Sequence, residues 1–194
     1  MGRIICLLGK SGTGKDTLFR LALEDPSLEL TPLVPYTTRP RRAHETEGKE
    51  YHFVTVEDME KMQANGQIVE HRSYDTVHGV WHYFTAAARL EEDRDYLLIT
   101  TPAALPHIVA YFGADRVVAT LLQASDAVRL RRYIAREEQE EKPNFSEVCR
   151  RFLADEADFA EPLCPEAANR ITVNADLSPA ECLEQFRIGL KHTL

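Results

Sequence analysis

The sequence predicts an α/β fold: a parallel sheet flanked by helices, carrying a small α+β insertion and a helical lid. Three observations predict it. The apolar run Ile4-Ile5-Cys6-Leu7-Leu8 opens directly into a glycine-rich turn, Gly9-Lys10-Ser11-Gly12-Thr13-Gly14-Lys15-Asp16-Thr17. Further strand signals at Tyr96–Thr101, Arg116–Leu122 and Arg170–Val173 alternate with helical periodicity, and that alternation implies a parallel sheet covered on both faces. The stretch from about residue 31 to 90 breaks the pattern, with Pro32, Pro35 and Pro40 among short β-like pieces.

Taken in order, the first strand is expected over Arg3–Leu8 and a helix over Gly14–Leu23. Inside the insertion, β-like pieces fall at Tyr51–Val54 and Gln67–Arg72, with a short helix near Val56–Asn65. Helical spacing returns at Ala103–Phe112, Ala127–Glu140, Ser146–Phe159 and Pro179–Lys191. Ser125 or Asp126 can cap the second of these, and Ser178 before Pro179 is an N-cap with proline at the first helical position. One domain is expected. Its core would take about residues 1–30, 95–125 and 165–194, its insertion about 31–90 and its lid about 126–160. The Glu-rich patch Glu137–Pro143 reads equally as a solvated helix end or a lid hinge.

The turn at Gly9–Thr17 has the spacing of a phosphate-binding loop between a buried strand and a helix, which makes the core that of a P-loop NTPase. Glycines let successive backbone N–H groups point inward, and the helix start adds its positive dipole end. Lys15 adds a full charge for β- and γ-phosphates. The motif expects Ser or Thr after the lysine to hold Mg²⁺, and here Asp16 stands there with Thr17 behind it. ATP with Mg²⁺ is the expected donor, Asp16 and Thr17 being the candidate metal residues. The alternative for Asp16 is a favourable charge in the first helical turn.

Bulk properties narrow the function classes. A net charge of −8 and a pI near 5.4 argue against a general nucleic-acid or membrane-surface binder. An anionic substrate must therefore be caught by a local basic cluster. Cys6, Cys149, Cys164 and Cys182 show no metal-ligand spacing, and buried free thiols in a reducing compartment are expected. No stretch approaches the roughly 20 apolar residues of a membrane helix, and position 6 is cysteine where a myristoylation signal needs Ser or Thr. A cytoplasmic location follows as the expectation, with a monomer or homodimer as the assembly.

The basic cluster is Pro35-Tyr36-Thr37-Thr38-Arg39-Pro40-Arg41-Arg42. Prolines stiffen the backbone, and guanidinium groups match phosphate oxygens two at a time. Two phosphate-handling elements in one chain suggest a donor site and an acceptor site, as phosphoryl transfer requires.

At this point the chain resembles the guanylate kinase family, from Gly9 to about Leu177. The most specific portion is Thr37–Arg42 followed by Glu45, Gly48 and Tyr51-His52-Phe53-Val54. The resemblance implies that Arg39, Arg42 and Tyr51 hold the phosphate of an acceptor GMP. It also implies that Glu70 reads the guanine edge, and that Tyr83 and Thr85 touch phosphate and base. In the lid half, Arg132 and Arg136 lie one helical turn apart and Arg151 follows across the Glu-rich loop. The resemblance makes these the arginines that close over the triphosphate, with Arg39, Arg132, Arg151 and Lys15 acting on the transferring group. It makes Asn174 the adenine contact; an Asx turn is the other reading of that residue.

Two departures keep other acceptors open. The family carries Asp-x-Asp at the end of the strand that here reads Leu98-Ile99-Thr100-Thr101, and Pro35 replaces a serine. Ribose 1,5-bisphosphate phosphokinases share the Gly-Lys-Asp loop and lack the Asp-x-Asp, so a sugar phosphate is the alternative acceptor. A non-catalytic phosphopeptide-binding domain of the same fold is a third reading, which the intact loop opposes. His78 and His82 have the i, i+4 spacing of helical metal sites, but Gly79 favours a hairpin. His44, His52 and His71 show no partner pattern.

Overall fold

All five residues of the opening apolar run are withdrawn from solvent and form β1 (Ile4–Leu8). It is followed by α1 (Lys15–Glu24), β2 (Thr31–Pro32), β3 (Tyr36–Thr37), β4 (His52–Phe53), α2 (Val56–Ala64), β5 (Ile68–Thr76) and β6 (Gly79–Ala86). The chain continues through β7 (Tyr96–Ile99), α3 (Leu105–Phe112), β8 (Val117–Gln123), α4 (Asp126–Glu137), α5 (Phe145–Asp158), β9 (Asn169–Asn174) and α6 (Pro179–Lys191). The structure, a computed structural model, describes residues 2–42, 45–76, 79–88, 90–91, 93–160, 167 and 169–193. Two compact units divide the chain, one built on Pro32–Arg94 and the other on Arg3–Thr31 with Asp95–Leu194.

The second of these units is organised by a five-stranded sheet of order β2-β7-β1-β8-β9. Ile4 stands opposite Tyr96 of β7 on one side and Val117 of β8 on the other, both pairings parallel. β8 continues in parallel with β9, Val118 opposite Asn169. β1 is therefore central, and a central parallel strand must be apolar on both faces. One core packs Ile5, Leu7, Leu97, Leu122 and Val173 against Leu18 and Ala22 of α1 and against Phe186 and Leu190 of α6. The α/β architecture expected from the alternating pattern is the one observed.

The cap predicted at Ser178 forms as a capping box: its hydroxyl accepts from the Glu181 N–H while the Glu181 carboxylate reaches back. Ser125 behaves differently. It sits at the N-cap of α4, yet its N–H and hydroxyl both donate to Asp176, at 2.8 and 3.2 Å. The residue is recruited by the turn that follows β9 rather than by its own helix.

The unit containing the insertion has a four-stranded sheet of order β4-β3-β6-β5, covered by α2 through Tyr36, Met59, Phe84 and Ala86. Here the sequence reading fell short. β5 runs on to Thr76 and pairs antiparallel with β6 through Thr76 opposite Gly79, whereas strand signal had been expected only to Arg72. His71–Asp75 are exposed and polar, so the alternation that marks a half-buried strand is missing, and cross-strand pairing alone holds the segment extended. Cys6 and Cys182 are buried as expected, but Cys149 is exposed on α5; Cys164 lies outside the described residues.

A glycine inside α6 reports how closely that helix approaches the sheet. A Cβ on Gly189 would lie 2.6 Å from Ile171 Cγ2. Alanine improves intrinsic helix propensity by about 1 kcal/mol, but overpacking costs about 1–3 kcal/mol, so the steric term wins. Gly189→Ala is expected to lower unfolding free energy in urea titration, and a more stable variant would disprove the close approach.

Candidate functional site

The glycine-rich loop begins where β1 ends. Gly12 and Gly14 have φ of 80° and 90°, in the left-handed region that glycine enters without strain. At Gly12 space is also restricted: a Cβ would meet the Arg129 carbonyl oxygen at 3.0 Å. Gly14 is the N-cap of α1 and offers no side chain, so the first-turn amides carry no side-chain cap. A helix start of that kind presents N–H groups and a positive dipole end to an anion. Lys15 opens α1, and its Nζ donates to the Gly9 and Lys10 carbonyls at 2.6 and 3.2 Å. Burial lowers the Lys15 pKa, while Asp16 and Asp155 act in the opposite sense. The Thr13 hydroxyl donates to Lys10 O at 2.8 Å, and Asp16 and Thr17 are exposed side by side on the first turn.

Beside this loop lies a cleft of about 150 Å³, bordered by Gly14, Leu18, Leu122, Leu177, Cys182 and Arg132. Arg132 reaches the loop from α4, donating to Gly12 O and Thr13 O at 3.3 and 3.4 Å and to Ala175 O at 2.9 Å. The other two lid arginines are held elsewhere. Arg136 lies over the Tyr133 ring at 5.2 Å, and Arg151 is exposed and pairs with Glu147 at 2.8 Å. Asn174 makes the Asx turn that was the other reading of this residue, its Oδ1 accepting from the Asp176 N–H at 3.1 Å.

The sequence reading missed the side chains most closely engaged with the loop. Arg129 is fully buried and pairs with Asp126, Asp155 and Glu156 at 2.7, 3.0 and 2.9 Å. Asp155 accepts from the Ser11 N–H at 2.8 Å, and Glu156 pairs with Lys10 at 2.5 Å. Arg129 and Asp126 are three apart on one helix and were legible as a local pair. Nothing in the sequence connects either to residues 155 and 156 on the next helix.

In the insertion, Arg39 is buried between two rings, its guanidinium 5.2 Å from the Tyr51 centroid and 5.5 Å from that of Phe53. Both terminal nitrogens of Arg39 donate to Glu45, Nη1 at 2.7 Å. Glu45 also accepts from the Arg42 N–H at 2.8 Å, and its carbonyl accepts from Arg41 at 2.8 Å. The arginine cluster is thus folded around one carboxylate, which leaves the exposed Arg42 side chain as the outward-facing cation of the Arg39–Arg42 pair. Tyr83 meets Tyr51 and Tyr74 edge to face, each at 5.7 Å. Buried Glu70 accepts from the Thr85 hydroxyl at 2.9 Å and pairs with Arg72 at 3.3 Å. His82 does have a partner, stacking on His71 with ring nitrogens 2.8 Å apart; His78 and His44 lie outside the described residues. Among the described residues no group of three or more His, Cys, Asp or Glu is arranged to hold a metal.

The hydrogen bonds from Arg39 bring the Glu45 pKa down to about 2 from 4.5. A depressed carboxylate pKa contributes stability that is fully present above the unfolded value and is lost as pH falls toward the folded one. The stability difference between wild type and Glu45→Gln is therefore expected to be largest above pH 4.5 and to shrink as pH falls toward about 2. Thermal unfolding across that range measures it, and a difference independent of pH would rule out the ion pair as its source.

Residues 1–93 match the guanylate kinase family model. The chain is 35% identical over 124 residues to guanylate kinase of Brucella melitensis, a match covering 62% of this chain and 55% of that protein. It is 44% identical over 73 residues to guanylate kinase of Mycoplasmoides gallisepticum, covering 38% of this chain and 37% of the relative. The chain thus spans about half the length, or less, of these curated relatives. The crystal structure of guanylate kinase from Anaplasma phagocytophilum shares its fold, with a TM-score of 0.64 at 21% identity over 98% of this chain and 85% of that one. The likeness to guanylate kinases thus covers residues 1–93 in the family model and nearly the whole chain in fold.

Proposed function

We propose that this chain transfers the γ-phosphoryl group of ATP to a nucleoside monophosphate, with GMP as the acceptor. The observation that carries the reading is the uncapped helix start at Gly14, where first-turn amides and Lys15 form an anion cradle beside an apolar cleft. Lys15 would hold the β- and γ-phosphates, with Lys10, Ser11 and Thr13 shaping the loop around them. Adenine would lie in the cleft, between Leu18, Leu177 and Arg132, toward Asn174.

Arg132 already touches the loop, and a small shift of its guanidinium from the Gly12 and Thr13 carbonyls would deliver its charge to the transferring group. Arg136 and Arg151 would join it only by leaving Tyr133 and Glu147. An arginine in this role contributes roughly 10³–10⁵ in rate. The Thr17 hydroxyl and Asp16 carboxylate are exposed hard oxygen donors and fit a magnesium ion that arrives with ATP. That fit suits a site without a preformed protein cage, because phosphate oxygens would supply further ligands. When bound, the ion neutralises charge on the phosphates.

For the acceptor, Arg42, Tyr51 and Tyr83 offer a cation and phenol groups to a monophosphate, with Arg39 holding Tyr51 in place from beneath. Glu70 presents a carboxylate, oriented by Thr85, that suits the N1–H and 2-amino donors of guanine. A phosphoryl acceptor needs only positioning and charge stabilisation, so no covalent nucleophile is required.

Lys15→Ala is expected to reduce kcat by about 10³-fold, measured as ADP release coupled to GMP. Arg42→Ala should raise the KM for GMP about tenfold, with a smaller change in kcat. Glu70→Ala should erode the preference for GMP over AMP by about 10–100-fold, the worth of a charge-assisted hydrogen bond. Turnover of ribose 1,5-bisphosphate in place of GMP would overturn the acceptor assignment while leaving the donor site intact.

A further inference from the structure

Ser11 is fastened through both of its backbone groups. Its N–H donates to Asp155 Oδ2 at 2.8 Å, its carbonyl accepts from Arg129 Nε at 3.1 Å, and its hydroxyl donates to Asp155 Oδ1 at 3.1 Å. These two side chains come from different helices, α4 and α5. They are locked to each other by a 3.0 Å ion pair, and Phe152 lies under the Arg129 guanidinium at 4.6 Å. Arg129 is wholly buried and the Asp155 side chain is 14% exposed, so the geometry is not one that water can readily replace. Glu156 extends the cluster to Lys10. The balance of charge matters as well. Asp155 and Glu156 stand beside a loop meant for phosphate, and Arg129 and Lys10 neutralise them there.

We propose that Arg129 and Asp155 are positioning residues for the phosphate loop: by bracketing Ser11 they tie the α4–α5 pair to the curl that receives the nucleotide phosphates. The inference rests on the nucleotide-binding reading of the loop. Neither residue would act on the phosphates directly. Removing Asp155 releases the Ser11 N–H and hydroxyl and leaves Arg129 short of a partner. Replacing Arg129 by lysine supplies one ammonium where a planar fork serves a carbonyl and three carboxylates. Either change lets the loop sample conformations that do not bind, and apparent affinity falls with the competent fraction.

The test titrates Mg·ADP and, separately, GMP into wild type, Asp155→Ala, Asp155→Asn and Arg129→Lys by calorimetry, with amide exchange followed at Ser11. Asp155→Ala and Arg129→Lys are expected to weaken Mg·ADP about tenfold or more, to speed Ser11 exchange, and to leave GMP affinity within about twofold. A purely architectural role would lower the melting temperature but leave the Mg·ADP affinity of the folded protein unchanged, and that result would overturn the proposal. Should Asp155→Ala fail to fold, Asp155→Asn carries the decision: it keeps one acceptor for Ser11 but loses the charge, so about threefold weaker Mg·ADP binding is expected, and wild-type affinity would refute it. Wild-type protein that binds no Mg·ADP would remove the nucleotide reading itself and this inference with it.

Discussion

The constraint on which the rest of the larger unit depends is the burial of β1 on both faces. A strand enclosed between β7 and β8 delivers its last residue, Leu8, to the C-terminal end of the sheet. The chain must then turn into α1 within a few residues, past the Leu122 and Arg129 backbones that crowd Gly9 and Gly12. Side chains are excluded there by space and by backbone angle together. What remains at the turn is mostly backbone, whose N–H groups are the donors a phosphate at the proposed site would use. The same packing that builds the core therefore strips the loop down to its functional groups.

Charge is handled locally, against the sign of the whole molecule. With a net charge of −8 the chain repels anions at long range, and both candidate phosphate sites have arginines close by. Most of these are committed to structure. Arg39 is bound to Glu45, Arg129 to three carboxylates and Arg151 to Glu147. A buried guanidinium without a partner would be costly, so Arg39 and Arg129 are each matched by acids that hold them in one orientation. Lys15, Arg132 and Arg42 are not matched with acids in this way: Lys15 and Arg132 donate to backbone carbonyls, and Arg42 is exposed on the insertion. In this arrangement the acidic residues decide which arginines are held in ion pairs.

Legibility followed the range of the interaction. Gly12, Gly14 and Lys15 were legible because their geometry is set within six residues of chain. Ser178 with Pro179 was legible for the same reason, since a capping box closes within one turn. Ser125 looked identical by that criterion, yet Asp176, far along the chain, captured it. β5 beyond Arg72 had no readable signal because its exposed polar residues are extended by pairing with β6 and not by burial. His71 showed no partner pattern in the sequence and His82 was spaced to His78, and only the antiparallel register brings the rings of His71 and His82 together.

The sequence by itself determined the α/β architecture, the phosphate loop and the clustering of arginines, because periodicity, glycine spacing and local charge are properties of neighbouring residues. The tertiary structure alone decided which arginines are spent and which are free, and that Ser11 is held by Arg129 and Asp155. The physical reason is that an ion pair or a bracketed backbone group depends on which distant helix arrives beside it, and 118 and 144 residues of chain separate Ser11 from those partners.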